Sequence, residues 1–151
     1  MKEIKLTQGK VALVDDEDYE DLIRYFWCAC KGNGTFYAGS SGKSGYRLMH
    51  RYLLKPNKCQ LIDHKDGNGL NNQKYNLRIC NPSQNNMNQE IRSGSSKYKG
   101  VHLSTQNQKW ISTIDNKYLG SFNTEKEAAL EYNKNAINLF GEFARINEIC
   151  Q

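Results

Sequence analysis

The sequence predicts an α+β chain, and three patterns carry that prediction. An apolar-alternating stretch at the N-terminus gives way to apolar residues at helical spacing. Two short strand-like runs, Cys59–His64 and Asn76–Cys80, flank a segment dense in Asp, Asn and Gly, and a helix start follows at Asn81. Near the C-terminus three strand-like runs succeed one another and lead into a capping signature and a long helical pattern. At 151 residues the chain can hold one ordinary domain or two small ones.

Taken in order, Ile4 to Val14 reads as a hairpin turning at Gln8-Gly9. A helix follows from about Asp16, with Tyr19, Leu22, Ile23 and Phe26 recurring at its period, and the acids between Asp15 and Asp21 suit its N-terminal dipole. Trp27 is expected as a core anchor and Thr35–Ala38 as a strand. Gly42-Lys43-Ser44 superficially suggests a phosphate loop, but the first glycine is missing at the required spacing and no strongly apolar strand precedes it. A flexible hairpin loop accounts for it better. Arg47–Leu54 is expected as a short helix stopping before Pro56.

The middle of the chain carries the chemistry. Asp63-His64-Lys65-Asp66-Gly67-Asn68-Gly69-Leu70-Asn71-Asn72 is followed by Asn76-Leu77-Arg78 and then by Asn85. Asp66-Gly67 alone would mark a tight turn. The full set supplies more: two oxygen donors for a hard cation, the Asp63 carboxylate and the Asn85 carbonyl, with an imidazole beside the first. Neighbouring side chains on a strand diverge, so His64 can approach a substrate phosphate from another side as general base. Asn81 suits an N-cap and Pro82 the first helical position.

This order and spacing resembles the HNH (His-Me finger) endonucleases, particularly the phage and intron-encoded homing branch. The resemblance implies a ββα-metal nuclease core at about 59–92, within a domain spanning 1–92 that begins with the hairpin and helix. It implies that Asp63 and Asn85 hold Mg²⁺ (or Mn²⁺), that His64 is the base, and that Asn76 braces the loop as part of the catalytic set. The products implied carry 5′-phosphate and 3′-hydroxyl ends. Asp63 stands where many members have His, and a carboxylate favours magnesium or manganese over zinc. His50-Arg51 extends the likeness upstream, with Arg51 as a DNA contact; His50 is open between a structural hydrogen bond and a phosphate contact. Arg78 is open between a scissile-site phosphate and an ordinary place over the sheet, with DNA contact favoured.

Arg92–Ser96 has linker composition, and 93–96 is taken as the linker to a second unit at 97–151. Strands are expected at Lys97–His102, Lys109–Ile114 and Lys117–Phe122, with a tight turn at Asp115-Asn116. Thr124 and Glu127 form a capping box, Ala128, Tyr132, Ala136 and Phe140 share one helix face, and Gly141 ends the helix. This small three-stranded antiparallel sheet on one helix resembles the Apetala2 domain of plant ethylene-response factors, through Tyr98-Lys99-Gly100-Val101, Trp110, Leu119-Gly120-Ser121-Phe122, Ala128-Ala129, Phe140-Gly141, Ala144-Arg145 and Asn147. That family reads the DNA major groove with its sheet. The resemblance puts Lys99, His102, Ser104, Thr113 and Tyr118 on the reading face. Several base-reading arginines are replaced by Lys, His or Ser, so the plant target is not inherited.

Composition agrees with a nucleic-acid partner. The net charge is +5 and only 38% of residues are hydrophobic. No apolar run approaches bilayer length and no signal peptide is visible, so no membrane is expected. Five cysteines without a Cys-x-x-Cys pair indicate neither a disulfide framework nor a structural zinc site. The location expected is therefore a reducing cytoplasm, which the resemblance makes that of a bacterial host carrying a phage or prophage. The partner expected is double-stranded DNA, bound by a monomer or a homodimer. The main rival is a DNA-binding regulator with an inactive nuclease domain, against which the intact Asp63, His64, Asn76 and Asn85 set argues. A second rival, an RNA-binding or structural protein, would need stacking aromatics on an open sheet face, which Tyr98 and Tyr118 keep weakly open.

Overall fold

A computed structural model describes residues 1–32, 34–42, 45–89 and 94–149. The fold is mixed α and β with small antiparallel sheets. It divides into two compact units, Met1–Asn85 and Asn86–Gln151. The expected linker at 93–96 begins on Ser93, outside the described residues, as do Lys43, Ser44 and Cys150.

The first unit opens with the hairpin of β1 (Lys2–Lys5) and β2 (Val11–Val14), closed by a 3₁₀ turn in which Gln8 and Gly9 both take positive φ. Helix α1 (Asp16–Leu22) is shorter than its apolar spacing suggests. The Trp27 indole N–H donates to the Leu22 carbonyl at 2.8 Å, satisfying a terminal acceptor and turning the chain out of the helix. Phe26, expected on the helix face, is consequently 75% exposed, whereas Trp27 is buried. Strands β3 (Cys28–Lys31), β4 (Phe36–Gly42) and β5 (Gly45–Leu48) form an antiparallel sheet. Arg47 and Leu48 belong to β5 and not to the following helix, so α2 runs only from Met49 to Leu54. The core gathers Ile4, Val14, Leu22, Trp27, Ala38 and Met49. It closes the sheet over the hairpin and helices, as apolar burial at ~25 cal/mol per Å² demands.

Two further strands, β6 (Leu61–His64) and β7 (Leu77–Cys80), pair antiparallel with Asp63 opposite Arg78 and His64 opposite Leu77. Helix α3 (Pro82–Met87) follows at once. Its start is a reciprocal box: Asn81 Oδ1 accepts from the Gln84 N–H and Gln84 Oε1 from the Asn81 N–H, each at 2.9 Å.

The second unit is a three-stranded meander, β8 (Val101–Leu103), β9 (Trp110–Ile114) and β10 (Lys117–Phe122), under one helix, α4 (Glu125–Phe140). The β9–β10 turn holds Asp115 and Asn116 at positive φ, the geometry a two-residue hairpin needs. Thr124 and Glu127 complete the capping box. Ala128, Ala129 and Ala136 let α4 approach the sheet, with Tyr98, Val101, Ile114 and Tyr132 filling the space between. Gly100 takes φ +73, and a Cβ there would stand 2.1 Å from the Tyr132 ring.

Candidate active site

The site begins with a ribbon of two strands. Asp63 and His64 end β6 and are only 6% and 5% exposed. Because successive side chains alternate, Asp63 shares a face with Arg78 and His64 shares the other with Leu77. Arg78 grips the carboxylate: Nε and Nη2 donate to Oδ2 at 2.8 and 2.7 Å. Asn85 is half-buried in the first turns of α3, its N–H donating to the Asn81 carbonyl.

The loop from 65 to 76 is built from its own amides. Asn76 Oδ1 accepts from the Asp66 N–H at 3.1 Å, and Nδ2 donates to Asp66 Oδ1 and the Asn71 carbonyl at 3.0 and 2.9 Å. Asn71 Nδ2 holds the other Asp66 oxygen at 2.8 Å. The Gly67 N–H closes the turn on the His64 carbonyl at 2.9 Å, directly behind the imidazole. Asn76 thus acts on backbone and neighbouring side chains of the loop, as a brace.

The N-terminal region underpins this loop. Leu13 exchanges backbone hydrogen bonds with Leu70 and Asn72 at 2.9 and 2.8 Å. Asp15 accepts from the Lys74 N–H at 2.7 Å and from the Gln73 side chain at 3.2 Å. The Lys74 ammonium bridges Glu17 and Asp18. The α1 acids therefore do more than complement a dipole. On the sheet side, the Gly69 N–H donates to Thr35 Oγ1 at 3.0 Å, and a Cβ at Gly69 would come within 2.6 Å of the Tyr37 ring.

Three rings meet behind the strand. The His64 centroid lies 5.1 Å from His50, edge-on at 87°, and 5.8 Å from Tyr37. His50 and Tyr37 are 5.5 Å apart. Burial pushes the His64 imidazole below its ordinary pKa, opposed by Asp66, Asn72 and Asp63. Burial also takes His50 down to about 3, helped by the positive forms of His64 and Arg51. Both rings are therefore neutral at neutral pH, and a neutral imidazole can accept a proton. His50 Nδ1 has no hydrogen-bond partner among the described residues, and its ring packs edge-on against Tyr37 and His64. Arg51 donates to the Gln60 carbonyl at 3.3 Å, just ahead of β6. Tyr37 and Asp15 are members of this constellation that lie outside the motif, and Asn71 and Asn72 stand within it without an assigned role.

In the second unit, the sheet face away from α4 carries His102 opposite Ile111 and Tyr118 opposite Thr113. Tyr118 is 64% exposed. Thr113 leans its hydroxyl on the Gly100 carbonyl at 3.5 Å, and Ser104 lies just past β8, where its N–H bonds the Lys109 carbonyl at 2.8 Å. Lys99, expected on this face, is turned inward. Its Nζ donates to the carbonyls of Asn86, Met87 and Gln89, and burial with the nearby Arg145 charge lowers it to about 8. The reason is local: β8 starts only at Val101, after the positive φ of Gly100, so strand alternation does not reach back to Lys99. Asn147 clips the same point, its amide pairing with both the N–H and the carbonyl of Lys99 at 2.6 and 3.1 Å.

Among the described residues no trio of His, Cys, Asp or Glu could hold a metal, and no helix is long and apolar enough to cross a membrane. A mimivirus protein (Acanthamoeba polyphaga mimivirus) named as an uncharacterized HNH endonuclease is 33% identical over 178 aligned positions, covering 98% of this chain and 94% of the relative. No family model and no solved structure matches the chain.

Proposed function

Because the chain belongs to the HNH endonucleases, we propose that it hydrolyses phosphodiesters of double-stranded DNA at the β6–β7–α3 ribbon, acting as a ββα-metal nuclease. The observation that carries this reading is the adjacency of Asp63 and His64 at the end of one strand, both nearly fully buried and sited beside a loop locked by its own amides. Burying a carboxylate and an imidazole side by side is unfavourable for folding alone and is expected where chemistry needs it.

The residues fit a hard divalent cation. Asp63 already faces a positive group, the Arg78 guanidinium, and Asn85 offers a neutral oxygen. Two oxygen donors suit Mg²⁺ or Mn²⁺, which retain water and substrate oxygens in their remaining positions. Bound at Asp63 and Asn85, such an ion would supply Lewis-acid stabilisation of the charge that grows on phosphate and leaving oxygen. His64, neutral at neutral pH, takes a proton from the attacking water. Asn76 and Asn71 hold Asp66 and thereby the turn that closes on the His64 carbonyl, which keeps the imidazole from drifting. The P–O bond to the departing 3′ oxygen breaks, leaving 5′-phosphate and 3′-hydroxyl ends.

The second unit serves as an Apetala2-like DNA-binding module. His102, Thr113 and Tyr118, with Ser104 at the strand end, form the contact face, and Lys99 helps by holding the segment 86–89 in place. Arg51 fixes the approach to β6. A tethered module raises the local concentration of a weak catalytic unit at its site.

The deciding experiment is cleavage of supercoiled plasmid by wild type and His64→Ala in Mg²⁺, Mn²⁺ and EDTA. Metal-dependent nicking or linearisation by wild type, absent in His64→Ala, is the expected result. A folded wild type that binds DNA and never cuts under any metal would make the chain a DNA-binding regulator instead.

A further inference from the structure

We propose that Arg78 is a charge latch: it occupies Asp63 until a divalent cation and a phosphodiester arrive together, making cation binding conditional on substrate. This rests on the reading of Asp63 as a metal ligand.

The argument starts from register. Asp63 and Arg78 are directly opposed across β6 and β7, so the backbone itself delivers guanidinium to carboxylate. Both donors, Nε at 2.8 Å and Nη2 at 2.7 Å, converge on the same oxygen, Oδ2. The side chains are only 10% and 7% exposed. An exposed pair would exchange with water at little cost. A buried pair cannot, because removing either member strands an uncompensated charge.

Two consequences follow from the buried pair. A cation approaching Asp63 alone must displace or repel Arg78 and so forfeits both hydrogen bonds of the pair. A phosphate approaching Arg78 alone forfeits the same two bonds. When the two arrive together the loss is made good on both sides: the cation takes Asp63 and the phosphodiester takes Arg78, whose planar fork suits phosphate oxygens. Binding of cation and DNA is therefore positively coupled, and linkage requires the coupling to be reciprocal. Arg78 is on this account a positioning residue whose work is done before the chemical step.

The test measures Mn²⁺ affinity from the loss of the free-ion EPR signal, without DNA and with a plasmid-derived duplex, in a His64→Ala background that prevents cleavage. Asp63→Asn in the same background reports Mn²⁺ held by the duplex alone and is subtracted. In the parent protein, Mn²⁺ is expected to bind weakly without DNA and roughly tenfold or more tightly with it. In Arg78→Gln the latch is gone, so Mn²⁺ binds roughly tenfold tighter without DNA and the duplex adds little. Arg78→Lys, which keeps the charge and loses the fork, should fall between. It carries the test if Arg78→Gln fails to fold in EDTA.

Asp63-dependent Mn²⁺ binding that is equal in parent and Arg78 variants, with the same gain from DNA, would overturn the latch and leave the metal site standing. Mn²⁺ binding that is insensitive to Asp63→Asn would remove the metal site and the latch with it.

Discussion

The first unit gathers buried polar groups around one strand ribbon, whereas the second, which also buries Ser112 and Asn147, presents His102 and Tyr118 on its sheet face. Around β6, Asp63, His64, His50, Asn71, Asn72 and Asn76 are all buried and the loop between the strands is held by amides and carboxylates. Around β9, the buried layer includes Ala128, Ala129, Tyr132 and Ile114, and the polar residues His102 and Tyr118 face outward, Tyr118 beside a register shift in β10. Burial of unpaired polar groups costs about 1–3 kcal/mol each, and His50 Nδ1 and Asn72 Oδ1 carry that cost here, while Asn71 and Asn76 are bonded into the loop. An exposed sheet face needs no such network, since its contacts are made only when a partner arrives. On the proposed function, one unit is preorganised for chemistry and the other for docking.

The largest test of that contrast is His64→Ala. It should lower cleavage by about 10²–10⁴-fold, the range for a general base, while plasmid binding in a gel-shift assay stays within twofold or so of wild type. Equal loss of both would mean that the first unit also carries the docking. Next comes Gly100→Ala, which forces a Cβ into the Tyr132 ring and the Thr113 carbonyl at positive φ. It should destabilise the second unit by about 2–4 kcal/mol, seen as faster hydrogen exchange across β8–β10 with protection of β6 and β7 retained. Asn76→Ala should do the reverse, removing the brace on Asp66 and Asn71 for about 2–3 kcal/mol and exposing 65–76 to exchange.

Acid should separate the two buried imidazoles from the rest more gently. His50 is held at about 3 and His64 is also lowered, so each is neutral when folded and protonates near its ordinary 6.5 when unfolded. The His50 contribution is fully present above 6.5 and is lost as pH falls from there towards 3, at up to about 1.4 kcal/mol per pH unit, and His64 acts in the same direction. Denaturant midpoints taken at pH 7 and pH 5 check this, and His50→Gln should flatten the slope.

What the sequence disclosed is what local chemistry dictates. Asn81 and Gln84, Thr124 and Glu127, and Asp115-Asn116 are cap and turn signals that act within three or four residues, and each element starts or turns where they stand. The Asp63-His64 pair was visible for the same reason. Tyr37 beside His64 was not, because β4 and β6 meet only through the packed sheet. Nor was Asp15, which finds Lys74 across 59 positions. The over-long α1 shows the opposite error: apolar spacing runs on to Phe26, but a tertiary hydrogen bond from Trp27 ends the helix at Leu22. The resemblance put Lys99 on the sheet face, but the strand begins only after Gly100 and the Lys99 ammonium bonds the carbonyls of Met87 and Gln89.

The stitching of Leu13 and Asp15 to Leu70, Asn72 and Lys74 has a consequence for how the molecule is made. This N-terminal segment waits for residues nearly sixty positions later before it has its partner. Such long-range closure comes late in folding. A polypeptide beginning after α1 would contain Asp63, His64, Asn76 and Asn85 yet lack these hydrogen bonds under the 65–76 loop, so on the proposed function its cleavage is expected to fall although the motif is intact.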